Sequence, residues 1–315
     1  MIKDIFKRVF SIDTESSNYT IINILGVRIR HTKKACKEQK QIYLNMNCPV
    51  NELPPADGML RKIQFAELKM MKIFDELCKE NELEYWLDFG NLLGAVRHKG
   101  FIPWDDDVDF GMLRDDYEKF IKLFQNGIPK YKDIYLEFNN NGKNRCFIKV
   151  KHRYIQDLAI DIFPYDLYFK KTTYAEKLAI TKKIRKIIDR KLYKFLYPFF
   201  ANHPDKMRKR FFTIRDNEIL NNNFGDKKSE PSVFYGIDYN HGYDNYFFDY
   251  DKIFPLKKFQ FEDTEFPCPN DSDFVLTQVF GNYMSVPNDC YPTHTHFNDT
   301  KLEADLDKFI GEKYE

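Results

Sequence analysis

Four aspartates fall within five positions in the stretch GNLLGAVRHKGFIPWDDDVDFGM, residues 90–112: Asp105, Asp106, Asp107 and Asp109. On a strand, successive side chains alternate faces, so Asp107 and Asp109 project together while Val108 and Phe110 pack the other way. Two carboxylates sharing a small volume repel each other unless a cation lies between them, and hard oxygen donors at this spacing suit Mg²⁺ or Mn²⁺. Asp105 has the same period-two phase and is a further candidate ligand, whereas Asp106 is out of phase. A third carboxylate comes from Asp161, set between Ile160 and Ile162 in AIDIFPYD. An aspartate on a buried strand is costly unless paired or metal-bound. A calcium loop is excluded, because Phe110 stands where that loop requires glycine directly after the third acidic position. Aspartate runs also mark solvated turns, and here it is the neighbouring sequence that favours chemistry. Phe89-Gly90-Asn91 turns from a strand into a short helix, and a helix entered through glycine presents N–H groups to a phosphate, with Asn91 as an added donor. Arg97, His98 and Lys99 follow and can neutralise a diphosphate.

These side chains need a sheet and helices to hold them. EYWLDF at 84–89 reads as a strand, Asn91–Arg97 as a helix, Val108–Met112 as a strand and Arg114–Phe124 as a helix. RCFIKVKH at 145–152 and LAIDIFPYDLYF at 158–169 add two strands, giving an α/β core with a mixed sheet. Asp57 is placed to cap a helix carrying Leu60, Ile63, Phe65, Leu68, Met71, Ile73 and Leu77. Residues 57–315 therefore form the main domain, with a basic helical insertion at about 172–222 and a charged terminal helix over Thr300–Lys313. In that insertion Lys182, Lys183, Arg185, Lys186, Arg190, Lys191 and Lys194 form either a solvated face or, interleaved with apolar residues, a contact for anionic membrane or phosphate. Residues 1–56 are an appendage: a β-hairpin over 18–32, then a polar linker running to Pro54 and Pro55. At the start, Ile2, Ile5, Phe6, Val9 and Phe10 recur with helical spacing beside Lys3, Lys7 and Arg8. Such a helix either rests on a membrane surface or packs on its own domain.

Composition narrows the setting. With 315 residues and 43% hydrophobic content the chain can bury a full core, and 49 basic against 48 acidic residues leave no global field to recruit nucleic acid. The six cysteines show no CxxC pair, and no apolar run approaches the roughly 20 residues that span a bilayer. Both point to a reducing, cytoplasmic compartment, with peripheral contact at the inner face of the plasma membrane as the alternative to a freely soluble protein.

The stretch FGNLLGAVRHKGFIPWDDDVDFGMLRDDYEKF resembles the signature of the LicD family, bacterial phosphocholine transferases related to fukutin and fukutin-related protein. IDIFPYD resembles the second acidic block of that family, and FPLKKFQFEDTEFPCPNDSDFVLTQVFGNYMSVP its C-terminal block, before a histidine-rich end at His294 and His296. INILGVRIR looks like a small module attached to bacterial surface-polysaccharide enzymes. The resemblance implies a nucleotidyltransferase-type fold in which Asp107, Asp109 and Asp161 hold two metal ions. It implies transfer of a phospho-alcohol, typically phosphocholine from CDP-choline, to a sugar hydroxyl of a glycan or lipid-linked glycan with release of CMP. On that reading Asp107 and Asp109 hold Mg²⁺ on the diphosphate, Asp161 completes the second metal site, Asp161 or a metal-bound hydroxide beside it takes the acceptor proton, and Gly90, Asn91, Arg97 and Lys99 steady the donor phosphates. Asn91 stands where the family more often has a small residue. His294 and His296 are either further ligands or surface polar sequence. Trp86, Trp104, Tyr165 and Tyr168 form either a cage for a quaternary ammonium or part of the core. A DxD glycosyltransferase using a nucleotide sugar and a catalytically silent scaffold of polysaccharide assembly are the competing classes.

Overall fold

Strand β5 (Asp109–Leu113) carries the last of the clustered aspartates into the middle of a seven-stranded mixed sheet. It pairs antiparallel with β4 (Trp86–Leu87) and parallel with β8 (Ala159–Tyr168). The other edge of β8 is shared: β7 (Phe147–His152) takes its first half and β9 (Ser232–Tyr235) its second, both antiparallel. β6 (Ile134–Asn139) extends the sheet beyond β7, and β10 (Phe247–Asp249) extends it beyond β9. A separate hairpin, β11 (Lys257–Phe261) and β12 (Thr264–Cys268), follows. The structure is a computed structural model that describes residues 10–13, 19–24, 27–139, 147–155, 158–168, 231–236, 246–288, 290–292 and 300–312. The basic insertion at 172–222, His294, His296 and residues 1–9 lie outside the described residues.

Helices cover the sheet because each has an apolar stripe. The helix α2 (Gly58–Glu80) buries Ile63, Ala66, Met70, Met71, Phe74, Leu77 and Cys78, and Phe74 stacks on Phe110 of β5 with ring centroids 4.5 Å apart. Phe65, expected on the stripe, is exposed. Asp57 stands at the N-cap position in extended conformation, but its side chain makes no capping bond. The helix α3 (Phe89–His98) starts earlier than expected and cuts β4 to two residues: Asp88 caps it by accepting from Phe89 N at 3.0 Å, and Phe89 takes a left-handed φ of 42°. The helix α4 (Arg114–Leu123) follows β5 directly, as the sequence pattern predicts.

The polar stretch expected as a linker is largely a helix, α1 (Lys34–Asn45). Only Cys36 and Tyr43 of α1 are buried, too few to register as a periodic stripe, yet Tyr43, Val50 and Leu53 belong to the same core as the central sheet. Tyr43 packs against Trp104 at 5.0 Å. Upstream, β2 (Tyr19–Ile24) and β3 (Val27–Thr32) form the expected hairpin, and β1 (Phe10–Asp13) adds a third strand, so Phe10 is extended rather than helical. The helix α5 (Ser272–Phe280) packs near α3, and α6 (Thr300–Gly311) lies along α2, with Lys62 of α2 ion-paired to Glu303 and Asp307. Among the described residues no helix is long and apolar enough to cross a membrane.

Candidate functional site

The loop from Phe101 to Val108 delivers the aspartates to β5, and three polar side chains shape it. Gln64 of α2 donates to the carbonyls of Ile102 at 3.2 Å and Asp105 at 3.0 Å. Asn91 of α3 accepts from Asp109 N at 2.6 Å and donates to Asp107 O at 3.5 Å. Glu262, in the β11–β12 turn, accepts from Phe101 N at 3.1 Å and pairs with Arg61 of α2 at 2.6 Å. The loop is therefore held on both flanks by groups remote in sequence.

Asp105, Asp106, Asp107 and Asp109 line a cleft of about 530 Å³ together with Phe89, Gly90, Arg97, Trp104, Tyr283 and Tyr291. Gly90 lets the Asp105 carboxylate approach closely: a Cβ there would lie 2.6 Å from Asp105 Oδ2. The helix turn expected to meet a phosphate thus faces a carboxylate. Burial first, then Asp107, Asp161, Asp88 and Asp105, holds the Asp109 carboxyl well above the usual carboxylate range. Burial and then Asp107 and Asp106 do the same for Asp105, with Arg97 pulling the other way. Behind them, Glu67 of α2 is buried and pushed up by burial and by Asp107, Asp106 and Asp105, and Asp88 is raised to about 7 by burial. Asp88 accepts from Tyr165 Oη at 2.6 Å, which with the Phe89 N–H bond offsets part of that burial penalty.

The expected site residues fall into three groups. Asp105, Asp107, Asp109, Gly90 and Arg97 meet at the cleft. Arg97 is buried, donates to His98 Nε2 at 2.8 Å and Tyr283 O at 2.6 Å, lies over the Trp104 ring at 5.6 Å, and is lowered to about 10 by burial. Its neighbour His98 is lowered to about 3, by burial and then by Arg97. Asp161 sits on β8 directly opposite Asp109, but both its oxygens accept from Lys149 Nζ, at 2.6 and 2.7 Å. Asn91 is buried beneath the cleft and engaged with backbone, and Lys99 is an exposed residue in left-handed conformation after α3, outside the cleft lining. Of the four aromatic residues considered for a cage, Trp86 and Tyr165 are core residues packed on each other at 4.9 Å; Trp104 alone lines the cleft, and the Tyr168 side chain lies outside the described residues.

Gln64, Glu67, Asp88 and Lys149 were not anticipated. The available signal for the first two was a Gln and a Glu on the apolar stripe of α2, which an amphipathic helix tolerates only when they have work inside. Asp88 and Lys149 carry no such local mark, since their partners are set by strand pairing.

Among the described residues no three His, Cys, Asp or Glu side chains are set around a common point as a closed metal cage. Mg²⁺ does not need one, because it keeps waters and is held by one or two carboxylates plus substrate oxygens. Asp107 and Asp109 fit that role, and the buried, unpartnered Asp105 Oδ2 and Glu67 Oε2 mark a site with more negative oxygen than internal donors.

The sequence profile described as LicD/FKTN/FKRP, nucleotidyltransferase domain, matches residues 82–200. Over those residues the chain is similar to the LicD-family domain. They include Gly90, Arg97, Asp107, Asp109, Lys149 and Asp161. The lipopolysaccharide cholinephosphotransferase LicD of Haemophilus influenzae is 46% identical over 65 residues, which cover 21% of this chain and 24% of that protein. An uncharacterized protein of Rickettsia typhi is 30% identical over 138 residues, 39% of this chain and 43% of its own length. The human ribitol 5-phosphate transferase FKRP is 56% identical over 34 residues, 11% of this chain and 7% of that protein. Each match therefore spans less than half the length of the relative.

Proposed function

We propose that this chain transfers a phospho-alcohol from a CDP-linked donor to a hydroxyl of a cell-surface glycan or lipid-linked glycan, releasing CMP. Phosphocholine from CDP-choline is the first donor to test, since the Haemophilus relative is named for cholinephosphate transfer; the FKRP name makes ribitol phosphate the second. The observation that carries the reading is the pair Asp107 and Asp109, within the stretch that matches the LicD domain, opening on a cleft with carboxyls crowded enough to demand a cation. A Mg²⁺ or Mn²⁺ held by these two would draw charge from the donor diphosphate and orient its phosphorus for attack.

The protein's own groups do the rest by positioning and neutralisation. The acceptor oxygen attacks the phosphorus that bears the alcohol, the bond from that phosphorus to the bridging oxygen breaks, and CMP leaves with the electron pair. Arg97, fixed by Tyr283 O and Trp104, sets a positive charge in the cleft wall for the departing phosphate. Asp161 takes the acceptor proton, because it stands beside Asp109 on the neighbouring strand. Asn91 keeps Asp109 in place through its backbone N–H.

The test is CMP release from CDP-choline, CDP-ethanolamine, CDP-glycerol and CDP-ribitol, beside a set of nucleotide sugars, with surface-glycan extract as acceptor. CMP from one CDP-alcohol, abolished by EDTA and by Asp107→Ala in a folded protein, is expected. Nucleoside diphosphate released from a nucleotide sugar, or a wild-type rate in Asp107→Ala, overturns the proposal.

A further inference from the structure

Three strands bring one lysine and two aspartates into a single row. Lys149 of β7 is the register partner of Asp161 on β8, and Asp161 is the register partner of Asp109 on β5, so all three project from the same face. Lys149 Nζ binds both Asp161 oxygens, with 27% and 18% of the two side chains exposed. The ammonium also lies over the Phe147 ring at 5.4 Å, so apolar packing helps to fix its stem.

We propose, starting from the metal-dependent reading above, that Lys149 is the fixed counter-charge of Asp161, and that the site accordingly takes one divalent cation, at Asp107 and Asp109, with Asp161 outside its ligand set. The reasons are geometric and electrostatic. An ammonium bonded to both oxygens of a carboxylate uses the lone pairs that a second metal bridging Asp161 and Asp109 would need. Neighbouring strands lie only about 4.8 Å apart, so a divalent ion between Asp161 and Asp109 would face the ammonium across one strand spacing in a partly buried site. Lys149 thus does for Asp161 what a second ion would otherwise do: it balances the carboxylate's charge and fixes its orientation. In this role Lys149 is a positioning residue, acting through Asp161.

Mn²⁺ binding to the full-length chain, read by loss of the free-ion EPR signal with and without CDP, tests this directly. Wild type is expected to take a single Mn²⁺. Asp109→Asn should weaken it by at least about tenfold, the lower end of what even outer-shell partners of a metal cost. The double variant Lys149→Met with Asp161→Asn removes the pair without changing net charge, and should hold Mn²⁺ as wild type does. Lys149→Met alone removes a nearby cation and frees Asp161, so it should bind Mn²⁺ several-fold tighter or take a second ion. Two ions on wild type, a double variant as weak as Asp109→Asn, or unchanged binding by Lys149→Met each overturn the proposal while leaving the transferase reading intact. No Mn²⁺ bound by wild type at millimolar concentration would overturn the metal-dependent reading itself, and this proposal with it.

Discussion

Replacing Asn91 by alanine separates two roles for that residue that the sequence allows equally. In the structure the amide is a strap: Oδ1 accepts the Asp109 N–H at 2.6 Å, Nδ2 reaches Asp107 O at the long distance of 3.5 Å, and the residue is 1% exposed. Truncation leaves the Asp109 N–H buried without its partner, a loss of about 1–3 kcal/mol, while the longer contact adds little. The expected destabilisation is about 2 kcal/mol, a factor of roughly 30 in the ratio of folded to unfolded protein. Urea unfolding followed by tryptophan fluorescence will read it, since both Trp86 and Trp104 are buried against this part of the core. In steady-state assays kcat should fall more than the donor KM rises, because Asp109 is misplaced rather than a phosphate contact removed. Asn91→Asp restores the acceptor but adds a carboxylate to the cluster, so its stability should approach wild type at low pH and fall as pH rises unless Mg²⁺ is present. A wild-type unfolding midpoint for Asn91→Ala, combined with a donor KM raised tenfold or more, would refute the strap and make Asn91 a phosphate ligand.

Three further outcomes follow from the same geometry. Asp88, 3% exposed, has its carboxyl raised from 3.8 to about 7, so the folded protein keeps a proton that the unfolded chain has released. Its contribution is full below about pH 4 and lost as pH rises through about 7, a change of at most about 4 kcal/mol. Thermal melts in EDTA should show Asp88→Asn flatter than wild type across that window. Arg114 and Asp166 form a buried two-point ion pair at 3.0 and 2.9 Å, so Asp166→Asn, which leaves a charged partner buried, should destabilise by about 3–5 kcal/mol in chemical denaturation. Gly90→Ala places a methyl against the Asp105 carboxylate, the movable end of a side chain; the melting temperature should stay near wild type while the donor KM rises.

Much of the site's neighbourhood was legible because its signals are local. Alternation around Val108 and Phe110 marks β5 and puts Asp107 and Asp109 on one side; Ile160 and Ile162 mark β8 and make Asp161 conspicuous; Arg114–Leu123 carries a helical stripe. The errors lie where a few contacts outweigh local pattern. α1 looked like a linker because its helix is fastened by little more than Cys36 and Tyr43, and the strand at 84–89 was overextended because Asp88 caps a helix that begins one residue later.

The amino-acid sequence by itself determined which residues could do phosphate and metal chemistry, and that strands and helices alternate around them, since both follow from residue type and a spacing of a few positions. Only the tertiary structure decided which of the carboxylates share a volume and which cation each one meets. Asp161 faces Asp109 and Lys149 through strand register, Glu67 reaches the cluster from a helix 40 residues before Asp107, and Arg97 is anchored by Tyr283 O across 186 residues. Register and helix packing are set by burying the whole apolar surface at once, so no window of the chain contains them.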